Sequence, residues 1–145
     1  MSLSNVFNIS GSAMSAQTIR LNTTASNMAN AQSVSSSEGE TYRARHPVFA
    51  LKAPEPEQMP ITQQGLVPGQ GVQVLGIVES QAELRMSYEP DHPLANDRGY
   101  VFYPNVNIVE EMADMISASR SFQINADVMN TAKQMLQQTL RLGQQ

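Results

Sequence analysis

Two series of large apolar residues at seven-residue spacing, one near each end, constrain this chain more than any other feature. In the second half Ile108, Met115, Phe122, Met129 and Leu136 recur at sevens, and Met112, Ala126 and Leu140 fall four residues after members of that series. Such spacing is the seam of a packed helix. It predicts one helix from about Val106 to Leu142, about 35 residues and about 52 Å long at the usual helical rise. That is about three times the mean length in globular domains, so the helix needs a companion. The first half supplies the match, with Phe7, Met14, Leu21 and Met28 at sevens and Leu3, Ala13 and Ala25 beside them. This second series predicts a helix from Ser4 to about Asn30, about 38 Å long. The two ends are expected to pack side by side, with the middle of the chain inserted between them.

The first helix is written in poor helix-forming material. Across RLNTTASNMANAQSV almost everything between Leu21, Ala25 and Met28 is Ser, Thr or Asn, whose short side chains compete for backbone groups. The companion heptad positions Ser10, Gln17 and Thr24 are polar, so the seam is narrow. Small residues (Thr23, Thr24, Ala25, Ser26, Ala29, Ala31) allow close backbone approach, and Asn22, Asn27 and Asn30 can hydrogen-bond across a crowded interface. A helix surrounded by other helices uses such a surface. Asn30 also suits a left-handed helix terminus.

Between the helices the pattern changes. SSSEGE after Val34 is a flexible connection, and TYRARHPVFALKA reads as extended chain in which Pro47 demands a sheet edge or a bulge. PEPEQMPITQQGLVPGQG carries four of the eight prolines and three of the eight glycines, and reads as loop or hairpin tip. GVQVLGIVES and AELRMSYEP are strand candidates, DHPLANDRG is turn-like, and YVFYPNV leads extended chain into the last helix. The fold class is therefore α+β: long terminal helices packed as a coiled-coil-like pair, with a small central antiparallel β region. The expected division is 1–34 for the N-terminal helix, 35–104 for the β-rich segment and 105–145 for the C-terminal helix.

Composition excludes several functions. Nine Lys and Arg against 13 Asp and Glu give a net charge of −4, with no basic footprint for nucleic acid and no basic amphipathic face for a membrane surface. No cysteine is present, so disulfide and thiolate chemistry are absent. The N-terminus has no charged side chain before Arg20 and no apolar run of signal-peptide or membrane-spanning length. His92 with Asp91 and Asp97, or Glu110, Glu111 and Asp114, can be considered as a metal or acid–base site. A catalytic metal asks for three placed protein ligands, whereas the two His of this chain, His46 and His92, each precede a proline in an apparent turn. Asp91 and Asp97 read as turn residues, and Glu110, Glu111 and Asp114 as favourable charge near a helix N-terminus. Arg43, Arg45 and His46 are too few for a phosphate patch in an acidic chain and suit a subunit contact. No catalytic, metal or cofactor residue is expected, nor a small-molecule substrate. With no Trp, 4 Phe and 4 Tyr, the core of a lone chain is modest, and partners are expected to supply burial. A cytosolic coiled-coil scaffold or chaperone is the alternative from the heptads, though it leaves the Asn-rich helix and the inserted strands unexplained.

The segments LNTTASNMANAQS, TYRARHPVF, GVQVLGIVES and YEPDHPLANDRGYVFYPNVNIVEEMADMISASRSFQINADVMNTAKQMLQQTLRLG together resemble the bacterial flagellar basal-body rod proteins, over nearly the whole chain. SNMANA is shared by rod and hook proteins generally; the long C-terminal segment is the more specific. The family often has Tyr where Phe122 stands, and its loop between Lys52 and Gly71 varies. The resemblance implies a structural subunit of the proximal rod, exported unfolded by the flagellar type III apparatus without a cleaved signal peptide. In the periplasm it would assemble with copies of itself and other rod proteins, on a base at the inner-membrane ring, and transmit motor torque to hook and filament. It also implies ends that order on assembly and a tube of packed terminal helices, in which Phe7, Met14, Leu21, Met28, Ile108, Met115, Phe122, Met129 and Leu136 would be the packing residues.

Overall fold

Both seven-residue series fold as single helices. The computed structural model describes residues 3–52 and 71–143. Helix α1 spans Leu3–Asn30 and helix α2 spans Ile108–Leu142, and between them come strands β1 (Arg45–Leu51), β2 (Val72–Glu79), β3 (Arg85–Tyr88) and β4 (Tyr100–Tyr103). The segment 54–70, expected as loop, lies outside the described residues. The fold class read from the sequence is the one observed: two long helices packed together, plus small antiparallel sheets.

Local chemistry sets the ends of the helices. Asn107 caps α2, its Oδ1 accepting from the Val109 N–H at 3.1 Å while its carbonyl accepts from Glu111 N at 3.0 Å. At the far end Gly143 N donates to Thr139 O at 3.1 Å. α1 does not end through a left-handed Asn30, because no described non-glycine residue has positive φ. The side chain of Asn30 turns back to Ser26 O at 2.8 Å, and Ser33 Oγ closes on Asn30 O at 2.8 Å, so the last carbonyls are satisfied without a left-handed residue.

The central strands form two ladders rather than one sheet: β1 pairs with β2, and β3 with β4. In the first ladder Ser80 N bonds Ala44 O at 2.7 Å at one end and Lys52 N bonds Gly71 O at 2.9 Å at the other, which makes it antiparallel. β1 has a strand partner on one side only, which is how Pro47, lacking an N–H, is tolerated in it. In the second ladder Arg85, Met86, Ser87 and Tyr88 face Tyr103, Phe102, Val101 and Tyr100. The other edge of β4 is taken by Ser35, which exchanges two backbone bonds with Phe102 at 3.0 and 3.1 Å.

Contacts divide the chain into two compact units. The first comprises Met1–Ile19, Val48–Gly76 and Ala118–Gln145; the second comprises Arg20–Pro47 and Ile77–Ser117. In the first unit the buried side chains are small, Ser10, Ala16, Ala118 and Ala132. Gly11 passes close to Met129, whose Cε lies 3.9 Å from where a Cβ would stand on the glycine. Ser12 ties α1 to β2: its Oγ donates to Ile9 O at 2.9 Å and accepts from Val72 N at 3.1 Å. Gly71 is buried against that hydroxyl with φ of +129°.

In the second unit Val101 is fully buried. Asn105 bridges chain segments, its Oδ1 accepting from Ala44 N at 2.8 Å and its Nδ2 donating to Ala82 O at 2.9 Å. Arg43 reaches Ala82 O at 3.1 Å and Glu38 at 2.9 Å. The turn before β4 is held by His92, whose Nδ1 accepts from Leu94 N, and by Asn96, whose Oδ1 accepts from Arg98 N and Tyr100 N, each at 3.0 Å. The side chains that hold this turn are thus His92 and Asn96, which accept from N–H groups two or four residues on, rather than Asp91 and Asp97.

An alanine at Gly71 would meet both a disfavoured φ and the Ser12 hydroxyl. Gly71→Ala is expected to cost about 1–3 kcal/mol, whereas Gly76→Ala, where a Cβ meets nothing within 4 Å, is expected to be near neutral. Equilibrium urea unfolding of the two variants checks the difference.

Candidate functional site

The most completely organised cluster in the second unit centres on Asn27, on the last turns of α1. Its side chain is 0% exposed. Nδ2 donates to Arg45 O and to Glu111 Oε1, both at 2.8 Å, while Oδ1 accepts from Arg45 N and from the Tyr42 hydroxyl, both at 2.9 Å. An amide has two donors and two common acceptor directions, so the capacity of Asn27 is filled. By holding both N–H and C=O of Arg45 it treats the first residue of β1 as a neighbouring strand would.

The surrounding residues complete a clasp of three chain segments. Tyr42 lies under the Arg45 guanidinium, 5.4 Å from ring centroid to Cζ, and Arg45 reaches Glu79 at 2.9 Å. Glu111, on the first turn of α2, is 4% exposed and also receives a hydrogen bond from the Thr24 side chain. Burial pushes its carboxyl above the ordinary value, opposed first by the bond from Asn27. One turn further, Asp114 pairs with Arg20 of α1 at 2.6 Å. Because Arg20 meets Asp114 while the later Asn27 meets the earlier Glu111, α1 and α2 run antiparallel here.

The three asparagines named from the sequence occupy different settings: Asn22 is exposed, Asn27 is buried in the clasp, and Asn30 is half-buried and bonded to its own helix. Of the seven-residue series, Phe7, Met14, Leu21, Met28, Met115 and Met129 are half-buried, and Ile108, Phe122 and Leu136 are exposed, Phe122 at 36%. Several of the most buried positions lie three residues further on. At that offset Ser10 and Thr24 on α1, Ala31 just beyond it, and Glu111, Ala118 and Ala132 on α2 are buried, with Gln17 and Asn125 half-buried, while α1 also buries Ala16, Thr23 and Asn27 outside the offset series. The offset series is the other half of a heptad. Its members are small or polar and so carry no hydrophobic signal; the offset of three was the clue available.

In the first unit the large side chains beside that seam leave an apolar groove of 520 Å³. Leu3 and Val6 of α1 line it with Ile124, Val128, Ala132 and Met135 of α2. Among the described residues no group of three His, Asp or Glu is placed to hold a metal, and no helix is long and apolar enough to cross a membrane.

Comparison with known proteins follows this architecture. Residues 7–34, nearly all of α1, match the family described as flagella basal body rod protein, and residues 97–142 match the flagellar basal body rod FlgEFG protein C-terminal family. The chain is 48% identical to the flagellar basal-body rod protein FlgC of Salmonella typhimurium over 147 residues, covering 99% of this chain and 100% of that protein. The FlgC protein of Escherichia coli O157:H7 is likewise 48% identical over 144 residues, covering 99% and 100%. That of Borreliella burgdorferi is 35% identical over 155 residues, covering 99% of each chain. The chain belongs to the flagellar basal-body rod protein family. Within this rod protein, Asn27 and Glu111 lie one in each family-matched segment, so the clasp joins the two.

Asn27→Asp keeps the shape of the side chain but replaces Nδ2 by an oxygen facing Arg45 O and the Glu111 carboxylate. With two buried acceptors left without donors, the expected loss is on the order of 3 kcal/mol or more. Asn22→Asp, at an exposed position, is expected to change stability by less than about 0.5 kcal/mol. Chemical denaturation of both variants measures the contrast.

Proposed function

We propose that this protein is a structural, non-catalytic subunit of the flagellar basal-body rod, specifically of its proximal part. It self-assembles with copies of itself and with other rod proteins and transmits motor torque to hook and filament. The observation that carries this reading is the relation to named rod proteins across nearly the full length of both chains. It agrees with a long C-terminal helix that leaves large apolar residues such as Ile116, Ile124, Val128 and Met135 exposed in the single chain. We find nothing in favour of a cytosolic scaffold or chaperone.

In this reading the terminal helices, 1–34 and 105–145, build the core of the rod, and the central segment, 35–104, faces outward. Phe7, Met14, Leu21, Met28, Ile108, Met115, Phe122, Met129 and Leu136 pack between helices in the assembly. Asn22 and Asn30 serve polar contacts there, while Asn27 works inside the chain. The subunit passes the flagellar type III export apparatus unfolded, without a cleaved signal peptide, and reaches its place in the periplasm above the inner-membrane ring. It needs no cofactor, substrate or nucleic acid.

Phe122→Glu and Val128→Glu test this reading. Each places a carboxylate on an apolar surface that assembly would dehydrate, at a cost of several kcal/mol. Cells carrying either variant are expected to be non-motile, with the protein exported but absent from purified basal bodies. Motile cells with normal rods would show that these faces stay in water and would remove the assembly role assigned to them.

A further inference from the structure

Glu111 stands out as a buried acid without a cation. Its side chain is 4% exposed, and its Oε1 is occupied by Asn27 Nδ2. Its Oε2 is closed off from solvent and has no hydrogen-bond partner. Arg20 holds Asp114 at 2.6 Å and Arg45 holds Glu79 at 2.9 Å, and His46 acts on Glu111 without forming an ion pair with it. We propose that Glu111 is a proton-operated latch of the second unit: it carries a proton while the Asn27 clasp is closed, and losing that proton as the pH rises loosens the first turn of α2 from α1.

The neutral acid fits the geometry better than the anion. The carbonyl oxygen keeps accepting from Asn27 at Oε1, and the proton sits on Oε2, where a full charge would have neither solvent nor donor. The groups facing Glu111 come from each packed element. α1 brings Thr24 and Asn27, β1 brings His46 and α2 brings Asp114, with Arg20 behind Asp114 and Tyr42 and Arg45 behind Asn27. Burial raises the affinity of Glu111 for its proton and Asp114 raises it further, while Asn27, His46 and Thr24 oppose. A carboxyl with a raised folded value contributes stability that is complete below its ordinary 4.5 and is lost as pH climbs through the folded value. The latch therefore is tightest below 4.5 and slackens as the pH rises above it. This inference rests on the clasp alone and stands apart from the rod reading.

The test uses the full-length chain. The carboxyl carbon of Glu111 in 13C-labelled protein, assigned by comparison with Glu111→Gln, is followed by NMR against pH. Its midpoint is expected above 4.5, and the protection factors of amides 108–114, taken relative to the intrinsic exchange rate at each pH, are expected to fall over the same pH interval. A midpoint at or below the ordinary value, from a folded or an unfolded chain, would overturn the latch. Urea midpoints of wild type and Glu111→Gln, measured below and above the titration midpoint found by NMR, give a second readout. The wild type should lose ground to the variant as pH rises. A difference between the two that does not change with pH would also overturn it, and if the variant does not fold, the wild-type titration decides alone.

Discussion

The second unit depends on one amide. Asn27 has no access to water, so each of its polar atoms must find a partner inside the chain, and each does. Those partners lie on the chain before β1, on β1 itself and on α2, residues as much as 84 apart in sequence. A leucine in the same place would supply more apolar area, but it would leave the N–H and C=O of Arg45 unsatisfied and would accept any of several neighbours. The amide accepts one arrangement, which is the usual gain from a fully satisfied buried polar group.

The same economy of size governs the helices. The deepest positions are Ser, Thr, Ala, Asn and Glu, while Phe, Met, Leu and Ile stand at the margins. Small residues draw helix axes together and free the large ones for contacts outside the chain. A monomer built this way gives up hydrophobic stabilisation at about 25 cal/mol per Å² that a neighbour can restore. The arrangement suits a subunit whose final environment is other subunits.

Much of this was legible in the sequence. The sevens located both helices, because a heptad period survives whatever surrounds it. The seam three residues further on was hidden, since Ser10, Thr24 and Ala31 look like a solvated face until a partner covers them. Nothing local distinguished Asn27 from Asn22 and Asn30; only Tyr42, Arg45 and Glu111, distant in sequence, single it out. The same limit applies to Glu111, which reads as an ordinary charge near a helix start and is instead enclosed. Strand character was readable, but whether four short strands make one sheet or two depends on long-range pairing, here decided by Ser35 at the edge of β4.

The backbone bond from Lys52 to Gly71, together with the seat of Val72 on Ser12, closes the base of the connection between β1 and β2. Once a base is closed, the length of chain above it matters little: doubling a flexible loop costs only about 0.6 kcal/mol in closure entropy. A reporter or epitope spliced between Lys52 and Gly71 is therefore expected to leave that closed base, and the seat of Val72 on Ser12, in place.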